Sequence, residues 1–277
     1  MSTILNDIKQ EYRNGGIANK VIYWHIAVFL ISVPAFYQFT LHIFEFPNWI
    51  TLSSLPFETL KKPWTLLTYG FLHSGFWHLF FNMIMLHFAS RLFLTFFNNK
   101  QYLTVYLLGI IFSGIVFVLS YYVLNQTWVL VGASAGILAI LTATTIYQPL
   151  YVLRFPLIGY FKLWHLTAVI LLLYLLEIGY SNTGGHIAHF AGAFFGFLYI
   201  YLLRKGHDIS KIFEKKKAKP KPFKKVYVNT NTVTKPKPNT KDITQQQIDD
   251  ILDKIGKSGY DSLTDKEKEF LMKAGKS

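Results

Sequence analysis

Residues 102–124, YLTVYLLGIIFSGIVFVLSYYVL, contain no charged side chain over the whole stretch. About 20 consecutive apolar residues cross the hydrocarbon core of a bilayer as a helix, so this stretch predicts a transmembrane helix. Further apolar stretches precede and follow it, at residues 21–39, 77–97, 130–147, 163–178 and 185–203. The pattern predicts an all-α polytopic membrane protein, a bundle of six transmembrane helices.

The composition agrees with that fold class. Of the 277 residues, 52% are hydrophobic and 17% are aromatic, and the mean hydropathy is +0.29 although the C-terminal part is charged. Charged residues are frequent among the first twenty, which predicts that the chain has no cleavable signal peptide. The chain has no cysteine, which excludes disulfides, thiolate metal sites and cysteine nucleophiles.

The distribution of Lys and Arg predicts the orientation in the membrane. Basic residues occupy alternate connections, before the first stretch, after the second, after the fourth and after the sixth: Lys9, Arg13, Lys20, Lys100, Arg154, Lys162, Arg204 and Lys205. By the positive-inside rule, both termini are expected in the cytoplasm, and Lys61 and Lys62 are the exception. Those two lie in the long connection 40–76. Its aromatic and apolar residues predict a segment at the membrane interface, and the alternative is an ordinary extracytoplasmic loop. These residues are Phe44, Phe46, Trp49, Leu52, Leu55, Phe57 and Trp64.

Three clusters of polar residues interrupt the apolar stretches, and polar groups at membrane depth are functional candidates. The first is Ser134, flanked by Gly132 and Gly136, which let neighbouring helices approach closely. The second comprises His186 and His189, just before Gly192 and Gly196. The third comprises His73, His78 and Asn82. On the predicted topology, the stretches that carry them all begin on the extracytoplasmic side, so the three clusters are expected at one shallow depth.

The residue types predict nucleophilic catalysis. Imidazole is the usual general base for a serine hydroxyl, while His78 and Asn82, four residues apart on one helix face, present N–H donors suited to an oxyanion. At about 100° per residue, Gly192 lies roughly 60° and Gly196 roughly 20° from His189. From His186 the same glycines are about 120° and 80° away. His189 therefore faces the close helix contact and is the better candidate base.

In order and spacing, the motifs H-x-x-x-N (78–82), G-x-S (132–134) and A-H-x-x-G-x-x-x-G (188–196) resemble the signature of the rhomboid family of intramembrane serine proteases, bacterial type. The resemblance covers residues 18 to 205. It implies a rhomboid-like six-helix bundle in a bacterial plasma membrane, with Ser134 as nucleophile and His189 as base. It further implies that His78, Asn82 and the Ser134 backbone N–H hold the oxyanion, with no metal or other cofactor.

The resemblance also implies the substrates, which are single-span membrane proteins cut near the extracytoplasmic face. The chain departs from the family pattern at three positions. Many members have Gly where this chain has Ala135, and an aromatic residue where it has Leu138. A Trp-Arg pair that is common in the first loop of the family is Trp64-Thr65 here.

Other functions fit less well. A zinc intramembrane protease needs an H-E-x-x-H helix, which is missing, and an aspartyl protease needs embedded acids on two spans. A metal site formed by His73, His78, His186 and His189 stays open as an alternative. So does a catalytically inactive relative that binds and escorts membrane proteins. A transporter is disfavoured because no inverted repeat is visible.

The C-terminal part has a different composition. Residues 204–237 hold twelve Lys or Arg with alternating Lys and Pro, which predicts an extended linker that attracts anionic lipid headgroups. No base-reading motif accompanies the charge, so no nucleic acid is expected as a partner. The pairs Thr244/Gln247 and Thr264/Glu267 fit capping boxes and predict two short amphipathic helices joined across Gly259. The predicted organisation is a cytoplasmic N-terminal segment (1–20), a six-helix protease domain (21–205), a basic linker (206–242) and a short cytoplasmic helical hairpin (243–277).

Overall fold

The computed structural model describes residues 2–155, 159–178, 183–213 and 240–274. The chain divides into two compact units, Met1–Lys216 and Lys217–Ser277. Both units are mainly helical. The helices of the first unit are α1 (Ser2–Asn14), α2 (Gly16–Phe36), α3 (Pro56–Lys61), α4 (Thr65–Thr68), α5 (Phe76–Phe96), α6 (Asn99–Leu124), α7 (Ser134–Tyr147), α8 (Leu163–Glu177) and α9 (Thr183–Arg204).

Among the described residues, α2, α5, α6 and α9 are long and apolar enough to cross a membrane. The helices α7 and α8 are apolar but shorter, with 14 and 15 residues. All six coincide with the apolar stretches of the sequence, and the chain is an integral membrane protein.

Four helix ends differ from the predicted ones by three to five residues, and two of these differences have a local cause. The first apolar stretch was expected to be helical to residue 39, but α2 ends at Phe36 because strand β1 (Tyr37–Gln38) pairs with β2 (Ile43–Phe44). The fourth was expected to begin at Leu130, but Leu130 lies in a strand and α7 begins at Ser134. The reason is Gly132, whose φ of +132° is incompatible with a helix.

Helix α7 lies at the centre of the first unit. Eleven consecutive side chains, from Ala135 to Thr145, are buried around its whole circumference. It packs against α5, α6 and α9. A helix buried on all sides has no lipid-facing stripe, which accounts for the absence of amphipathic periodicity in this stretch.

The long connection between α2 and α5 is folded onto the bundle. Its strand β3 (Leu52–Ser53) pairs antiparallel with β4 (Val129–Leu130), just before α7. The Ser54 hydroxyl accepts from Trp128 N at 2.9 Å, which fastens the connection to the same loop. Trp49, Phe57 and Trp64 are more than half exposed, whereas Leu52 is buried within the protein; that this connection lies at the membrane interface stays a prediction.

The opposite end of the bundle is held by short polar contacts. Strands β5 (Val152–Phe155) and β6 (Gly159–Lys162) form a hairpin between α7 and α8. After α9, Asp208 accepts hydrogen bonds from Gln101 Nε2 at 3.2 Å, from the Tyr199 hydroxyl at 3.3 Å and from Ser210 N at 3.0 Å. These contacts join the start of α6 to the segment that follows α9.

The second unit contains α10 (Thr240–Ser258) and α11 (Asp265–Ala274). Thr244 lies within α10, so the prediction that it caps a helix is wrong. At the start of α11, the Glu267 carboxylate accepts from Thr264 N at 2.7 Å, as the capping pattern predicts. Ile251 and Leu263 are buried, whereas Leu252, expected on the same apolar face, is half exposed.

Candidate active site

Ser134 is the first residue of α7 and follows a loop that hydrogen bonds join to neighbouring segments. The Gly132 N–H donates to Tyr69 O at 3.0 Å, and strand β4 ties the preceding residues to β3. The turn at Gly132 then directs the chain into the helix. Ser134 therefore stands where the backbone N–H groups of the first helical turn have no partner within the helix.

The structure brings Ser134 and His189 together. Ser134 Oγ and His189 Nε2 are 2.6 Å apart, a hydrogen-bond distance between helices α7 and α9. Close helix packing makes this possible, because a Cβ at Gly192 would lie 2.9 Å from Ala135 C and one at Gly196 would lie 2.9 Å from Ala143 N. Both glycines press against the backbone of α7, and His189 lies one turn before Gly192 on α9.

The other two predicted packing glycines have different neighbours. Gly136 faces α6, where an added Cβ would lie 2.8 Å from Tyr106 Cε2. A Cβ at Gly132 would lie 3.0 Å from His78 Cε1, so the glycine leaves room for that imidazole beside the serine loop. The predicted contact of α7 with α9 thus depends on Gly192 and Gly196, while Gly136 serves the contact of α7 with α6.

His78 and Asn82 lie on the side of α5 that faces the serine. His78 Nδ1 contacts the Ser74 hydroxyl at 3.0 Å, which leaves Nε2 on the side of Gly132. Asn82 Nδ2 donates to His78 O at 2.8 Å within the helix, so one of its two amide hydrogens is already used. That both side chains donate to a single point stays a prediction.

The remaining histidines are placed apart from the serine. His73 is buried, and its ring lies between those of His25 and His78, at centroid distances of 5.4 and 5.2 Å. His186 is buried, with Nε2 3.7 Å from the Glu177 carboxylate. Within the described ranges, no three His, Cys, Asp or Glu side chains converge as metal ligands, so the alternative of a four-histidine metal site gains no support.

An open cleft of about 390 Å³ surrounds these groups. Its polar lining includes Ser134, His189, His78, Asn82 and His186, and its walls are mostly aromatic and aliphatic. A cleft of this size can hold a small ligand, or a short segment of a larger one, next to the serine hydroxyl.

Sequence reasoning missed several residues of the cleft, among them Tyr174 and Glu177, which lie one turn apart near the end of α8. The Tyr174 ring is 4.2 Å from the His189 ring, the shortest of the ring contacts made by His189. The spacing of three residues between Tyr174 and Glu177, on a helix otherwise rich in leucine, was the signal available.

Comparison with known families agrees with this arrangement. A family model described as "Rhomboid domain" matches residues 60–206. A second, described as "Family of unknown function (DUF6576)", matches residues 239–276. A search of curated proteins finds no match. The Rhomboid domain match covers more than half of the chain, including all of α5 to α9, and the chain therefore belongs to the rhomboid family.

Proposed function

We propose that the protein is an intramembrane serine endopeptidase that cleaves transmembrane segments of single-span membrane proteins near the extracytoplasmic face. The observation that carries the proposal is the contact of 2.6 Å between Ser134 Oγ and His189 Nε2 in a family of intramembrane proteins. Proton transfer from a serine to a general base needs a separation of about 2.6–3.2 Å.

The chemistry follows from that contact. As Ser134 Oγ attacks the scissile carbonyl carbon, His189 Nε2 accepts the hydroxyl proton and then gives it to the leaving amine when the C–N bond breaks. Water hydrolyses the acyl-enzyme by the same path in reverse. The oxyanion is held by the Ser134 backbone N–H, His78 Nε2–H and the second Asn82 amide hydrogen, with no metal or cofactor.

The membrane placement rests on helix length. All six apolar helices, α2 and α5 to α9, are proposed to span the bilayer. With 14 residues, α7 is about 21 Å long, shorter than a hydrocarbon core of about 30 Å. If its far end reaches one surface, Ser134 at its start lies below the other surface. The dyad is thus expected inside the membrane, where a peptide bond must leave its helix to be cut.

The wider assignment follows the distribution of charge. The protein is proposed to reside in a bacterial plasma membrane with both termini in the cytoplasm. Segments 1–20, 21–205, 206–242 and 243–277 are proposed as N-terminal segment, protease domain, basic linker and helical hairpin. The linker is proposed to contact anionic lipid headgroups, and no nucleic acid is proposed as a partner.

The test is cleavage of a single-span test substrate in liposomes, together with fluorophosphonate labelling in detergent. Ser134→Ala and His189→Ala are expected to abolish both signals. His186→Ala should keep a measurable fraction, because His186 has no contact with the serine. His87→Ala, an exposed histidine of α5, is the matched control and should behave as wild type.

Residual cleavage by Ser134→Ala above a few per cent of wild type would refute the nucleophile. Turnover by His189→Ala together with loss in His186→Ala would mean that the dyad is misassigned. A wild-type protein that is folded but neither cleaves nor labels would favour the non-catalytic relative that escorts membrane proteins.

A further inference from the structure

The His189 ring lacks the polar support that a general base often has. Its Nε2 faces Ser134 Oγ, while its Nδ1 is buried and has no hydrogen-bond partner in the part of the chain that the structure describes. A single hydrogen bond at Nε2 does not by itself fix the plane of the imidazole ring. Packing by neighbouring groups must therefore help to hold the ring in the orientation that proton transfer needs.

Tyr174 is the side chain placed to do this. Its ring centroid is 4.2 Å from that of His189, with the planes inclined at 46°. The other ring near His189, that of His186, is farther away at 5.8 Å and meets it edge-on at 76°. Tyr174 is half-buried and lies against the imidazole from α8, outside the two helices that carry the dyad.

The position four residues after the serine shows why a ring from α8 is needed. That position is Leu138, which faces the same cleft but carries no aromatic ring. A leucine offers flexible aliphatic contact, whereas an aromatic ring offers a flat, rigid surface with few rotamers. In this chain the flat surface beside the imidazole comes from Tyr174.

We propose that Tyr174 is a positioning residue for the proposed base, holding the His189 ring by contact of its own ring. The inference rests on the proposed function. The described residues contain no hydrogen bond to the Tyr174 hydroxyl, so the contact with His189 is made by the aromatic ring and not by the hydroxyl.

Tyr174 lies near the end of α8 that contacts the dyad histidine. The fully buried residues of α8 are Leu163 and Thr167, both at the end of the helix away from Tyr174. There the Thr167 hydroxyl meets the Thr145 hydroxyl of α7 at 2.7 Å. At the Tyr174 end, α8 contacts both α9 histidines, through the Tyr174 ring and through Glu177, whose carboxylate lies 3.7 Å from His186 Nε2.

The experiment compares Tyr174→Leu with Tyr174→Phe. Tyr174→Leu is expected to lower the rate constant of fluorophosphonate labelling and kcat at least about tenfold, with KM within about twofold of wild type. Tyr174→Phe keeps the ring and should stay within about twofold of wild type in all three quantities. Leu176→Ala, an exposed residue of the same helix, is the matched control and should label normally.

Several results would overturn the inference: labelling of folded Tyr174→Leu at the wild-type rate, an equal loss in Tyr174→Phe, or an equal loss in Leu176→Ala. If Tyr174→Leu is not monodisperse in detergent, Tyr174→Met replaces it with the same expectation and the same refutation. Ser134→Ala and His189→Ala are labelled in parallel. If they still react, the proposed function fails; if only Tyr174→Leu reacts normally, the positioning role alone fails.

Discussion

Substituting Gly192 by alanine should separate stability from activity. The added Cβ would lie 2.9 Å from Ala135 C and 3.1 Å from Ala135 Cα, whereas carbon atoms pack at about 3.5–4.0 Å. The obstructing atoms are backbone and cannot rotate away. Ala135 O lies closer still to the added Cβ, and relieving that contact separates helices α7 and α9 by about 1 Å at this level.

That separation falls next to the dyad. Ala135 directly follows Ser134, and His189 lies one turn before Gly192. If the helices move apart by that amount, the contact between Ser134 Oγ and His189 Nε2 lengthens from 2.6 Å to about 3.6 Å. That distance lies outside the range for proton transfer, and a misplacement near 1 Å costs up to about 100-fold in rate.

The effect on folding should be smaller. Overpacking costs about 1–3 kcal/mol, and replacing glycine by alanine within a helix returns about 1 kcal/mol, so the free energy of unfolding should fall by about 0–2 kcal/mol. A loss of 100-fold in rate corresponds to about 2.7 kcal/mol of activation free energy. The protein should thus remain folded while activity is mostly lost.

The assay is the rate constant of fluorophosphonate labelling, measured alongside thermal unfolding in the same detergent. Gly75→Ala is the matched control, because a Cβ at Gly75 meets nothing within 4 Å and its φ of 175° is extended. It should keep near-wild-type labelling. Folded Gly192→Ala that labels at the wild-type rate would refute the dependence of the dyad on this helix contact.

Three further predictions concern the rest of the chain. Removing residues 214–277 should leave cleavage in detergent largely intact, since the cut spares Asp208 and its partners, and loss of most turnover in a folded truncation would contradict this. Burial acts to raise the pKa of Asp208, but hydrogen bonds from Ser210, Gln101 and Tyr199 outweigh it and hold the pKa below its usual 3.8. A lowered pKa stabilises the fold above the ordinary value, so the thermal midpoint should fall as pH drops below about 4, and Asp208→Asn should weaken that dependence. Hydrogen bonds from the Thr264 N–H, Lys254 and the Thr264 hydroxyl lower the pKa of Glu267 to about 2. Glu267→Gln should therefore reduce hydrogen-exchange protection of α11 at neutral pH, and unchanged protection would contradict the capping role.

The apolar stretches were predictable because membrane insertion depends on composition over about 20 residues and tolerates errors at the ends. The ends themselves depend on tertiary contacts. The fourth stretch was extended to Leu130 because leucine suits a helix as well as a strand. Leu130 is in a strand because it pairs with Leu52, 78 residues earlier, and no local sequence pattern predicts that pairing.

The same distinction applies to the site. His189 was preferred over His186 from angles around a single helix, and the contact with Ser134 Oγ follows from that local geometry together with glycines that admit α7. Tyr174 was missed because its role depends on where α8 lies; α8 has no glycine, and its buried Thr167, which contacts Thr145 of α7, lies at the end of the helix away from Tyr174. In a bundle whose lipid-facing and protein-facing residues are equally apolar, small residues reveal close contacts, whereas large ones do not. Residues that act through ring packing, as Tyr174 is proposed to do, are therefore recognised only once the helices are in place.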